Sequence, residues 1–190
     1  MNVVGRERTI FGLSTGTIAD LANTWYLALF RGVVAFLAAL LALTLPISTA
    51  TFLVSAYLVV DGVVAIALGV RIGSSPWIRS AFMLEGVAGA VCAILILTLG
   101  SNALIFIVAI WAGVTGLLEI AAALALPSAS WIIATLGIAS LGFGAALFAW
   151  PAIGIRTFVD LMTSYTVLAA ILFFSAALIL RRLHLRRISA

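Results

Sequence analysis

The chain has 190 residues, 65% of them hydrophobic and only 8% charged, with a mean hydropathy of +1.34. A soluble domain carries about 25% charged residues, so too little polar surface exists here to close a water-soluble globule. The ten basic residues are all arginines, set against six acids; they form no continuous patch with interleaved aromatics, and nucleic-acid binding is a poor reading.

Residues 1–21 read as a cytoplasmic N-terminal tail. Arg6, Glu7 and Arg8 precede a short apolar run, Ile10–Leu13, and then a polar Ser14-Thr15-Gly16-Thr17. That run is too short for the core of a signal peptide, and the apolar segment after it is too long. Six apolar segments follow, near 24–45, 50–70, 77–99, 102–125, 130–150 and 154–180. Each can cross roughly 30 Å of hydrocarbon as a helix. Tight breaks at Leu45-Pro46, Gly100-Ser101 and Trp150-Pro151 alternate with a polar one at Arg71–Pro76 and a short one at Pro127–Ser130. Proline and glycine beside small polar residues are the expected helix stops and restarts. Strand-type alternation is absent, which argues against a barrel. The expected fold is therefore all-α, a six-span helical bundle over 22–180 followed by a basic tail, 181–190.

Six spans place both termini, the 71–79 loop and the 127–130 loop on one side. Arg6, Arg8, Arg71, Arg79, Arg181, Arg182, Arg186 and Arg187 all fall there, and Arg156 alone lies near the other face. The positive-inside rule makes the populated side cytoplasmic. His184 stands within this basic tail, which could attract anionic lipid. Trp25, Trp77 and Trp131 open the odd-numbered spans and suit interfacial anchors, while Trp111 lies deeper and is expected to pack in the bundle. Arg156 and Asp160, four residues apart, are expected to form a local pair.

The segments resemble three tandem helical hairpins. Arg31-Gly32, Glu85-Gly86 and Leu136-Gly137 each begin fifteen residues before a turn, at Pro46, Gly100 and Pro151. Asp61-Gly62 and Thr115-Gly116 lie fifteen residues after the first two turns, whereas the third unit has Thr166-Val167 there. Gly32, Gly62, Gly86, Gly116 and Gly137 are helix-packing candidates, because a missing Cβ lets backbones approach. Such faces serve contacts within the bundle, with a second copy, or with another membrane protein.

Four charges interrupt the hydrocarbon: Arg31, Asp61, Glu85 and Glu119. Each costs roughly 2.5–3.5 kcal/mol at a helix centre. At 1.5 Å of rise per residue, all four lie about 9–13 Å from the cytoplasmic end of their span. The spacing predicts Arg31 paired with Asp61, and with Glu85 if the first and third spans touch. One cation among three carboxylates leaves an excess of acid, so at least one carboxyl is expected to be protonated or to have its pKa raised by burial and like charge. Several uses stay open: a network that fixes helix register and packing, a proton-sensitive cluster or part of a solute path, or charges that simply snorkel toward water. No nucleophile with a convergent base, no Cys/His metal spacing and no cofactor motif is present. Cys92, the single cysteine, reads as an apolar filler.

The run Trp25 to Arg31-Gly32, Pro46 at the turn, Tyr57-Leu58-Val59-Val60-Asp61-Gly62, Glu85-Gly86 and Gly113 to Glu119 resembles the HdeD family of small bacterial inner-membrane proteins. The resemblance covers roughly residues 22–180. It implies a multi-pass protein of the bacterial inner membrane associated with acid resistance or envelope stress, without enzymatic activity. It supplies no substrate and no catalytic residues. A small proton-coupled or anion transporter using the charge cluster is the alternative.

Overall fold

The computed structural model describes residues 15–124, 130–150 and 152–188. The Arg6–Leu13 segment, most of the 127–130 break and Pro151 lie outside the described residues. Among the described residues seven α-helices follow one another: α1 (Thr15–Asn23), α2 (Trp25–Thr44), α3 (Ala50–Arg71), α4 (Pro76–Leu99), α5 (Ser101–Leu124), α6 (Ser130–Ala149) and α7 (Ile155–Ile188). Helices α2 to α7 are each long and apolar enough to cross a bilayer. The protein is a multi-pass all-α membrane protein.

Local chemistry sets the helix limits. Leu45, held extended before Pro46, ends α2, and a single 3-10 turn at Ile47–Thr49 leads into α3. Pro76 occupies the first turn of α4, where its missing N–H costs nothing. Gly100, at φ +74°, ends α4 in a backbone conformation that favours glycine. The side chains left outward are hydrocarbon, among them Phe52, Leu43, Leu117 and Ile138, a surface suited to lipid.

The helices close into a ring in chain order, with α7 returning to pack on α2. The most extensive packing joins α3 to α4, α5 to α6 and α2 to α7; the α2–α3, α4–α5 and α6–α7 contacts are slighter. Glycines explain two of the three close pairs. A methyl group at Gly62 would stand 2.7 Å from the Gly86 carbonyl oxygen, and one at Gly86 would collide with the Gly62 carbonyl. Gly116 and Gly137 repeat this, at 2.7 and 2.8 Å from each other's carbonyl oxygens. The α2–α7 pair differs, because Gly32 faces the Phe173 and Phe174 side chains.

The face bearing the start of α2 and the end of α7 is covered by α1. Its Asp20 carboxylate accepts hydrogen bonds from Gly73 N (3.0 Å), Ser74 N (3.1 Å) and Ser74 Oγ (2.8 Å). Thr17 and Ala22 are fully buried, and Leu21 joins Leu68, Ile72, Ile78 and Phe82 in a small apolar cluster beneath. Asn23 Oδ1 lies 3.0 Å from His184 Nδ1. The expected boundary at residue 21 thus falls inside a docked helix. Helix α7 continues without a break through Arg181 to Ile188. Arg181 lies over the Trp25 ring at 5.4 Å. The pair expected between Arg156 and Asp160 does not form: both side chains are exposed, where an ion pair gains little over water.

Gly62→Ala and Gly116→Ala should each lower stability by about 1–3 kcal/mol through overpacking against backbone. Gly113→Ala and Gly142→Ala, where a methyl meets nothing within 4 Å, should change it by no more than about 0.5 kcal/mol. Thermal unfolding of the purified protein in detergent separates the two sets. Asp20→Ala should leave the spans intact but speed amide hydrogen exchange in residues 15–23, read by mass spectrometry.

Candidate functional site

The close approach of α3 and α4 determines where the charges meet. Asp61 and Glu85 each precede one of the paired glycines, so both carboxylates are carried to the same level of the bundle. Arg31 reaches them from α2. Its Nε donates to Asp61 Oδ1 and its Nη2 to Asp61 Oδ2, both at 2.8 Å, a two-pronged bond matching the planes of the two groups. Nη2 also donates to Glu85 Oε1 at 2.5 Å. The guanidinium lies over the Phe173 ring of α7, 4.4 Å from its centre, adding a cation–π contact. Arg31, Asp61 and Glu85 are 5%, 4% and 3% exposed, so bulk water contributes little to their solvation.

Glu119 stands apart from this triad. It is buried on α5 and interacts electrostatically with Arg31, Asp61 and Glu85, but among the described residues no cation pairs with it. Its direct partner is Ser140 of α6, whose Oγ donates to Glu119 Oε2 at 3.0 Å. Ser140 Oγ is also 3.0 Å from the Tyr165 hydroxyl of α7 and 2.9 Å from the Leu136 carbonyl oxygen. Each of the six spans therefore supplies one polar side chain to a common buried zone: Arg31, Asp61, Glu85, Glu119, Ser140 and Tyr165. Among the described residues, every enclosed side-chain nitrogen and oxygen has a hydrogen-bond partner. Thr115 and Thr166, by contrast, spend their hydroxyls on their own helix backbone.

An aromatic layer borders the polar zone on the side away from α1. Trp111 packs edge-on against Tyr57 at 6.2 Å and Tyr165 at 6.1 Å, and Tyr165 stacks on Phe143 at 4.7 Å. Tyr57 and Trp111 are each four residues from Asp61 and Thr115, one turn along α3 and α5. Above the layer, a cavity of about 30 Å³ runs between α2, α3 and α7 from Pro46 to Tyr57 and Thr166. Its walls are almost wholly apolar, so it is expected to stay dry. Nearer the surface, Ser48, Thr51, Ser101 and Asn102 line a wide depression of about 610 Å³ where the turns converge. On the opposite side, the Leu21–Phe82 cluster and α1 cover the zone. The charges are shut from both faces in this conformation.

Sequence reasoning did not single out Ser140 or Tyr165 as members of the polar zone. Ser140 stands four residues before Gly144, and that spacing of small residues is the one signal that it lies on an inward face. Tyr165 precedes Thr166, which occupies the same place after its turn as Asp61 does after Pro46.

Arg31→Gln should cost about 3–5 kcal/mol of stability, because it leaves Asp61 and Glu85 facing each other without a cation. Arg31→Lys should recover only part of this, since an ammonium cannot reproduce the fork. Midpoints of thermal unfolding for the two variants provide the check. No protein-family model, curated protein or solved structure matches the chain, so the functional reading rests on this site and the bundle around it.

Proposed function

We propose that the protein is a small proton-coupled or anion transporter, working through the Arg31, Asp61, Glu85 and Glu119 cluster. The observation that carries this reading is the surplus of buried acid. A network needed only to fix helix register is complete with Arg31 and one carboxylate, and a neutral pair is the least costly form of it. Here three acids are buried with one arginine, which pairs with only two of them. Each added carboxylate must be offset by bonding or by a proton. Groups of this kind inside membranes characteristically belong to ion paths and proton relays. In this reading the covers on both faces make the conformation an occluded one, and the protein performs no covalent chemistry.

The repeated glycine pairs support a bundle of three tandem hairpins. Each second arm would lie against the first arm of the next unit, and α7 would close on α2. The arginine distribution supports cytoplasmic termini in a bacterial inner membrane. The resemblance to the HdeD family would set the activity in survival at low pH.

Proteoliposomes carrying an imposed pH gradient and a trapped pH dye test the reading. The wild-type protein should dissipate the gradient faster than empty vesicles, with protons alone or with a permeant small anion supplied. Asp61→Asn and Glu85→Gln should lose that flux while retaining native helicity. Wild-type flux equal to that of empty vesicles, in both gradient directions from acidic to neutral pH, would refute transport of these ions.

A further inference from the structure

The three buried carboxylates are not equivalent, and hydrogen-bond chemistry separates them. Asp61 has both oxygens against N–H donors of Arg31, and Glu85 has one. A guanidinium donates and never accepts. Neither Asp61 oxygen is bonded to a partner that could accept a hydrogen bond in return. Glu119 has the opposite kind of partner. A serine hydroxyl both donates and accepts, and so does a tyrosine hydroxyl.

The geometry points to Glu119 as the group that takes up and releases the transported proton, with Ser140 and Tyr165 as the positioning residues that accommodate both of its states. As a carboxylate, Glu119 accepts from Ser140 Oγ, while the Tyr165 hydroxyl donates to Ser140. As an acid, Glu119 donates to Ser140 Oγ, and Ser140 turns its own proton to the Leu136 carbonyl, 2.9 Å away, or to Tyr165. Both arrangements are complete at the same heavy-atom positions. Only hydroxyl rotors turn, and one proton is gained or lost, exchanged with water when the zone opens. Ser140 and Tyr165 keep a hydrogen-bond partner in either state, which a partner able only to donate could not allow.

The surrounding charges fit the same division. Glu119 is influenced by Arg31 from α2, Asp61 from α3, Glu85 from α4 and the Tyr165 hydroxyl from α7. Arg31 pairs with Asp61 and Glu85 but not with Glu119, so the carboxyl left without a paired cation is the one assigned the proton in the occluded bundle. The link to a transport cycle rests on the function proposed above; the protonation of Glu119 does not.

Infrared spectroscopy of the full chain in lipid, in H2O and D2O at neutral pH, tests the assignment without requiring flux. The wild-type protein should show a protonated-carboxyl C=O band. Glu119→Gln, close in size and shape, should lose it, while Asp61→Asn and Glu85→Gln keep it. Ser140→Ala should move the band to higher frequency by removing its hydrogen-bond partner, and Tyr165→Phe should move it less. A band that persists in Glu119→Gln, or a wild-type spectrum without one, overturns the assignment. In the vesicle assay, wild-type flux that survives Glu119→Gln overturns it too, whereas flux absent from the wild type counts against the transport reading alone.

Discussion

A guanidinium cannot be left bare in hydrocarbon, and that single requirement organises the bundle. Arg31 sits on the least enclosed span, yet its side chain is buried and bonded to α3 and α4 while lying over an aromatic ring of α7. Three of the five other spans are thereby held around one side chain. Apolar packing alone gives little reason for helices to choose one another in a bilayer, because lipid tails are as apolar as leucine. Polar bonding and close backbone approach supply the choice. Here the two act together, since each triad carboxylate stands beside a glycine that brings its helix within reach.

The division between α3, α5 and α7 on one hand and α2, α4 and α6 on the other follows from the same economy of space. The former are the more enclosed, and they carry Tyr57, Trp111 and Tyr165 to the bundle axis. Large flat rings bridge these three helices, whose backbones do not pack closely on one another. The smaller residues go to the helix pairs around the rim. Bulk at the axis and its absence between neighbours are two sides of one packing solution.

The spans were legible because twenty-residue hydrocarbon runs with proline and glycine punctuation admit few other readings; the limits of α2 to α7 fall within one residue of those runs, apart from the end of α7. Charges were legible as well, because an arginine or glutamate in such a run stands out, and helical rise places each at a depth. Partner choice was only partly so. Depth brought Asp61 and Glu85 toward Arg31, but it also put Glu119 at the same level, and only the azimuth of α5 turns that carboxylate to Ser140. Hydroxyl residues gave almost no signal. Most serine and threonine hydroxyls in the described spans bond to their own helix backbone, as Thr115 and Thr166 illustrate, so nothing marked Ser140 and Tyr165 as partners of Glu119. The docking of α1 was hidden for a different reason: its anchor is backbone N–H groups of Gly73 and Ser74, which no sequence pattern displays.

The separation of Arg31 from its partners has a bearing on how the protein is made. Asp61 lies 30 residues later in the chain and Glu85 54 residues later. At synthesis rates of about 5–20 residues per second, the first span waits roughly 3–11 s for its second carboxylate. During that interval α2 must reside in or beside the bilayer with its cation only partly neutralised. The remedy is written in its own sequence, where the rest of α2 is nearly unbroken hydrocarbon and Trp25 can hold its start at the interface. Biogenesis of this bundle is therefore a problem of stabilising one helix until its counter-ions arrive, and the order of the spans along the chain keeps that delay short.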